Sequence, residues 1–151
     1  MPKIDAIMYH LDDLGMPETD REISPFTIPL KDVADVLVHS YFRTVHCAFP
    51  ILNETIFLSQ YEYLYKRQLE PLQAGAKWLG IFNLVLAIGR SHCNLTGETA
   101  AGYDYQADYF MRARILGALD GGILFQVPDL QQVQMLGLAA KYLLANHRIN
   151  R

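Results

Sequence analysis

Two His-Cys dipeptides, His46-Cys47 and His92-Cys93, are the residues of this chain best equipped for chemistry, because thiolate and imidazole are the ligands that zinc prefers. With His39 they invite a zinc reading. Their spacing opposes it: neighbours on a helix project about 100° apart, so one dipeptide does not readily turn both donors towards a single ion. The chain has 2 cysteines, too few for a four-thiolate centre or a disulfide scaffold. Unpaired cysteine is among the residue types most often buried, so Cys47 and Cys93 are both expected in the core, in a protein of a reducing compartment.

Other candidates resolve in the same direction. Asp12, Asp13, Glu18, Asp20 and Glu22 form an acidic cluster, but without the spaced oxygen ligands and turn glycine of a calcium loop, and they read as a solvated surface. No nucleophile elbow, phosphate-cradling glycine loop or metalloprotease His pair is present. The chain is therefore expected not to be an enzyme, with no catalytic residue, metal ligand or cofactor-binding residue assigned. Asn83 sits in the most apolar stretch, where an amide must be hydrogen-bonded, and is expected to satisfy a loop backbone or line a polar pocket. Tyr61, Tyr63 and Tyr65 form an aromatic band, part of it expected in the core and part at its rim, open to contact with a ligand.

These residues belong to a chain of 151, enough for one domain that buries roughly 68–70% of the surface its unfolded form exposes. Hydrophobic residues make up 51% and charged residues 19%, which leaves little polar surface and points to an apolar face that meets a partner. The net charge of −3, with no dense Lys/Arg run, opposes direct nucleic-acid contact by this chain. No basic region followed by an apolar core opens the sequence, so no signal peptide is expected.

Residues 1–29 are expected to carry a short helix over Ile4 to Leu14 and a proline-bearing linker with Pro17, Pro25 and Pro29. The folded body is expected to begin at residue 30. Leu30, Val33, Val36, Leu37, Tyr41 and Val45 recur at helical spacing, which predicts a helix from Leu30 to His46 with that stripe inward and Asp32, Asp35, His39 and Arg43 opposite. Pro50 forbids its continuation. Asn53 is a good N-cap and Glu54 suits the dipole of a second helix, which buries Phe57, Tyr61 and Leu64.

Trp78 to Gly89, W-L-G-I-F-N-L-V-L-A-I-G, is apolar nearly all round yet shorter than the ~20 residues a membrane span needs, so it is predicted to be a central, surrounded helix. Asp104 to Leu119 predicts a helix with Tyr109, Phe110, Ala113, Leu116 and Gly117 inward and Asp108 and Arg112 paired outside. Asp129 caps a last helix, whose core stripe is read as Leu130, Val133, Leu136, Gly137, Ala140, Leu143 and Leu144, widened by Met135, Leu138 and Tyr142. No strand periodicity appears, and the class is all-α, an irregular helical array. The helices at 78–89 and 130–144 ask for more neighbours than these elements supply, and the chain ends at N-H-R-I-N-R without a glycine cap, so it is expected to stop partway through a larger domain.

Three segments together carry a resemblance. The first runs from Leu37 to Phe57, with H-x-x-F-P-I-L from His46 to Leu52. The second is W-L-G-I-F-N-L-V-L-A-I-G. The third runs from Y-F-M-R-A-R-I-L at Tyr109 through P-D-L-Q-Q-V-Q-M-L-G-L-A-A-K-Y-L-L to the terminal N-R. In this order, across most of Leu37 to Arg151, they resemble the fungal-specific transcription factor domain, the middle regulatory region of fungal zinc-cluster transcription factors of the xylanolytic-activator type. Asn53 departs from the His often found there.

The resemblance implies that residues 30–151 are the first part of an all-α regulatory domain in a nuclear transcription factor, truncated relative to the family. Zinc and DNA binding belong to a six-cysteine module of the parent protein, absent from this chain. Implied partners are the remainder of the same regulatory domain or a co-regulator, met through exposed apolar helix faces, and a small-molecule effector whose contact residues the sequence does not mark. The alternative is a freestanding helical small-molecule- or metal-binding protein that uses Asn83, the tyrosines or the His-Cys pairs.

Overall fold

The computed structural model describes residues 23–66, 70–97, 105–119, 122 and 127–149, and among them the regular elements are helices, with no strand. The expected Ile4–Leu14 helix and the acidic cluster lie outside the described residues. In chain order the elements are α1 (Lys31–Arg43), α2 (Val45–Ala48), α3 (Glu54–Lys66), a 3-10 turn (Pro71–Ala74), α4 (Ala76–Thr96), α5 (Gln106–Gly117) and α6 (Leu130–Ile149).

Helix α4 is the axis of the fold, with α1, α5 and α6 packed against it. Every residue from Trp78 to Gly89 is buried, as an all-round apolar sequence requires. The helix runs past that segment to Thr96 and ends where Gly97, at φ 73°, takes the left-handed conformation and donates its N–H to the Cys93 carbonyl. Gly80 and Gly89 are nine residues apart, which at about 100° per residue places them on opposite faces. A Cβ on Gly89 would lie 2.9 Å from the Leu37 carbonyl carbon and nearer still to its oxygen, so α1 crosses α4 almost backbone to backbone. A Cβ on Gly80 would lie 2.8 Å from Met135 Sδ of α6.

That crossing decides which face of α1 is buried. Ala34, Leu37, Val38, Tyr41 and Phe42 turn inward. The expected stripe is corrected at Val36, 42% exposed on the far side, and at Leu30, which precedes the first turn as N-cap and lies in solvent. The helix also ends earlier than predicted. Thr44, whose hydroxyl donates to the Ser40 carbonyl at 2.6 Å, breaks it, and the single turn α2 follows before Phe49 and Pro50.

The N-cap of α3 is as expected: the Asn53 side-chain oxygen accepts the Ile56 N–H at 3.1 Å. Phe57, Tyr61 and Leu64 are buried on one face. Phe57 meets Phe42 of α1 at 5.4 Å and Trp78 of α4 at 5.7 Å, and Trp78 stacks on Phe82 at 5.4 Å, so one aromatic cluster joins three helices.

In α5 the inward set is Tyr109, Phe110, Ala113 and Gly117, with Leu116 half-buried, close to the reading from sequence. Arg112 is a correction: it is buried, with its guanidinium 5.4 Å from the Tyr109 ring centre, while Asp108 accepts the Tyr105 N–H at 3.3 Å and caps the helix. Phe110 stacks on Tyr142 of α6 at 4.5 Å.

The larger correction concerns α6. Its Asp129 cap forms as expected, accepting the Gln132 N–H at 2.8 Å. The buried residues, however, are Gln132, Met135, Leu138, Ala139 and Tyr142, whereas Leu130, Val133 and Leu144 of the expected stripe are 71%, 62% and 64% exposed. The helix carries two apolar faces. Met135 settles the choice, because its sulfur fills the space left free by Gly80 and by Gly117 of α5.

Candidate functional site

The His-Cys pairs are dispersed among structural roles. The His46 ring packs edge-on against Phe42 at 4.9 Å, while Cys47 is exposed on the outer side of α2, which corrects its expected burial. The break at Thr44 moved it there. Cys93 is buried in α4 as expected, and His92 Nδ1 lies 3.2 Å from the Ser40 hydroxyl, a polar contact between α4 and α1. Among the described residues no three His, Cys, Asp or Glu side chains form a group able to hold a metal ion. Asn83, 1% exposed, donates its amide to the Leu79 carbonyl of its own helix at 2.9 Å, and it is not among the residues lining the two clefts described below.

The tyrosine band divides three ways. Tyr61 is buried and donates its hydroxyl to Asp35 Oδ1 at 2.6 Å, and Tyr65 donates to the Pro29 carbonyl at 2.8 Å. Lys31 joins this group, 2.7 Å from Asp35 Oδ1, 3.3 Å from Glu62 Oε1 and 5.2 Å from the Tyr61 ring centre. Burial pushes the Asp35 carboxyl up, but the hydrogen bonds from Lys31 and Tyr61 together outweigh it and hold the group below its ordinary value. Burial, and then the bond to Asp35, raise the Tyr61 phenol well above its usual range. With an anionic acceptor, a neutral phenol and a paired ammonium, the group clasps α1 to α3 and offers no free base.

Tyr63, about half exposed, faces a cleft. The cleft has a volume of about 330 Å³ and is lined by Ser59, Gln60, Tyr63 and Leu64 of α3, Gln73 and Ala74 of the 3-10 turn, and Trp78. A second cleft of about 180 Å³ shares Gln60 and Trp78 with it and continues past Ile56 to Leu130, Gln131 and Gln134 in the first turn of α6. Among the described residues, those that line the two clefts are uncharged. Tyr63 was marked in the sequence by its place in the aromatic band. Ser59, Gln60 and Gln73 carried no such signal, since polar residues on an outer helix face read as solvated.

The other distinctive surface is the second apolar face of α6. Leu130, Val133, Leu136, Ala140, Leu143 and Leu144 are exposed along one side of the helix, within an arc of roughly 140° at 100° per residue. An apolar helix face of this width is what a helix presents to a neighbouring element. No helix among the described residues is long and apolar enough to cross a membrane.

The chain is 35% identical over 147 residues to the transcription regulator galc of Aspergillus niger, an alignment covering 97% of this chain and 17% of that protein. It is 32% identical over 148 residues to sorbicillinoid biosynthetic cluster transcription factor 2 of Penicillium rubens, covering 95% of this chain and 21% of the relative. An uncharacterised transcriptional regulatory protein of Schizosaccharomyces pombe is 32% identical over 111 residues, 72% of this chain and 17% of that protein. The chain thus spans about a fifth of the length of these curated relatives. No family model matches it, and no solved structure matches it. The printed names of these relatives describe a transcription regulator, a transcription factor and a transcriptional regulatory protein.

Proposed function

We propose that this chain is a non-enzymatic regulatory segment of a fungal zinc-cluster transcription factor, working in the nucleus, with zinc and DNA held by a separate module of the parent protein. The observation that carries this reading is the similarity to transcription regulators over 97% and 95% of the chain. The packing agrees with it: the motif residues Phe57, Trp78, Gly80 and Gly89 are structural contacts, and the polar groups that sequence marked as chemical are spent on holding helices together.

The outer face of α6 is then the contact surface, and its occupant is further helical chain of the same parent. The length relation supports that choice, since about four-fifths of each of these relatives lies outside the matched segment. An apolar partner in the same polypeptide acts at high effective concentration and needs no charge complementarity, in keeping with the uncharged exposed residues of this face.

The test is a fusion of the chain to an unrelated DNA-binding module in a fungal reporter strain. The fusion is expected to change reporter output relative to the module alone, and Val133→Glu with Leu144→Glu is expected to abolish the difference at equal nuclear abundance. Output equal to that of the module alone would overturn the regulatory reading. A change that survives both glutamates would overturn the role given to α6.

A further inference from the structure

We propose that Ser24 is a phosphorylation site for a proline-directed protein kinase, which places a switchable charge at the entrance to the folded body. This assignment is independent of the transcriptional reading.

The sequence singles out one dipeptide. Of the chain's 7 prolines, Pro25 is the one preceded by a hydroxyl residue. Proline has no backbone N–H, so a kinase pocket that offers no acceptor to the residue after the target takes proline, while any other residue would leave a donor unsatisfied. Proline also biases the residue before it towards extended backbone, the form in which a kinase cleft holds its target.

The fold sets the competing hydroxyls aside. Ser40 and Ser91 are buried, and Thr44 and Thr96 donate to carbonyls one turn back in their own helices. Thr55 and Ser59 are exposed but lie within α3, where extension would break the helical hydrogen bonds. Thr27 shares the exposed segment ahead of α1, yet Ile28 after it packs against the core and the Pro29 carbonyl accepts the Tyr65 hydroxyl at 2.8 Å. Ser24 lies beyond that anchor, exposed and outside any helix. The turn it opens is closed by the Thr27 N–H on the Ser24 carbonyl at 3.4 Å, a long bond that extension gives up at little cost.

In the transfer, the Ser24 Oγ attacks the γ-phosphorus of ATP as the bond to the β-γ bridging oxygen breaks. ADP leaves, and the hydroxyl proton passes to the base of the kinase. A neutral side chain thereby gains a charge of about −1.5 to −2 at pH 7. It adds to Glu18, Asp20 and Glu22 just upstream, without entering the packed helices.

The test incubates the full chain and ATP with a mitogen-activated protein kinase and, separately, a cyclin-dependent one. Intact mass is expected to rise by one phosphoryl group. Trypsin cuts after Arg21 and Lys31, so fragment ions of the peptide between them are expected to place the group on Ser24 and not on Thr27. Ser24→Ala is expected to abolish incorporation, and Pro25→Ala to slow it at least tenfold. Arg21 stands three residues before Ser24, where an arginine-selecting kinase would read it, and Arg21→Ala is expected to change the rate less than twofold. No incorporation by either kinase, incorporation that survives Ser24→Ala, or a Pro25→Ala chain modified as fast as wild type would overturn the proposal. A rate that falls more in Arg21→Ala than in Pro25→Ala would overturn the kinase class.

Discussion

Replacing Gly89 with alanine adds one carbon at the tightest point of the fold. In an ordinary helix interior the change stabilises by about 1 kcal/mol, because glycine has the greater backbone entropy to lose. Here the new carbon would lie 2.9 Å from the Leu37 carbonyl carbon and 3.2 Å from its Cα, where carbon atoms prefer about 3.5–4.0 Å. All three nearest atoms are backbone, so no side-chain rotation relieves the contact and α1 must retreat by roughly 0.6 Å or more, set by that same preferred separation. That motion loosens Ala34, Leu37, Val38 and Tyr41 together. Overpacking typically costs about 1–3 kcal/mol, and with a rigid obstacle the upper end applies, so after the propensity gain the net loss is about 2 kcal/mol. At about 2–4 °C per kcal/mol for a chain of this size, the melting midpoint falls by about 4–8 °C. Urea denaturation followed by far-ultraviolet circular dichroism measures the loss, and Gly137→Ala is the control. The three atoms nearest its added carbon all belong to the Ile51 side chain, and the closest, Cδ1 at 3.1 Å, is its flexible end, so that variant is expected to be neutral or up to about 1 kcal/mol more stable. A Gly89→Ala protein as stable as wild type would refute the backbone-to-backbone crossing.

Trp78→Ala removes the centre of the aromatic cluster and is expected to cost about 3–5 kcal/mol by urea denaturation, whereas Leu144→Ala, on the exposed face of α6, is expected to change the midpoint little. Asn53→Ala removes the cap of α3 and is expected to cost about 1 kcal/mol, visible in the same assay. Tyr61→Phe deletes the hydroxyl bonded to Asp35, with an expected loss of about 1 kcal/mol at pH 7. The sign of its pH dependence follows from Asp35, whose folded value lies below the unfolded one. The clasp therefore contributes in full above the ordinary carboxylate value of 3.8 and is lost as pH falls through the depressed value, so the gap between wild type and Tyr61→Phe is expected to close in that acid window. A gap that stays constant down to pH 2 would show that the carboxylate is not the acceptor.

The all-α class was legible because helical periodicity and capping residues agree along the chain: Asn53 and Asp129 cap where their side chains predict. Helix α4 was the plainest element, since a segment apolar on every side has one stable environment. The resemblance to a fungal transcription factor region also agrees with relatives named as transcription regulators. What the sequence left open was the choice between faces. Helix α6 has two apolar arcs, and periodicity cannot rank them; the ranking comes from Gly80 and Gly117 making room for Met135, a contact between three separate elements. Val36 faces outward for a similar reason, fixed by the meeting of Leu37 with Gly89. Cys47 was misplaced because a local break at Thr44 rotated the following turn. At the candidate site, Tyr63 stood out by type, while Gln60 and Gln73 acquire meaning only when α3 and the 3-10 turn bring them to one cleft.

The two glycines of α4 also constrain how this sequence can change over time. Position 89 is bounded by main chain, so no substitution elsewhere can make room for a larger residue there, and it is expected to stay fixed across the relatives. Position 80 is bounded by a side chain, and the same sulfur occupies the space beside Gly117. Positions 80, 117 and 135 therefore share one volume, and a gain at either glycine has to be matched by a loss at Met135. An alignment of many relatives would show the difference as invariance at one point of the helix and compensated exchange at the other.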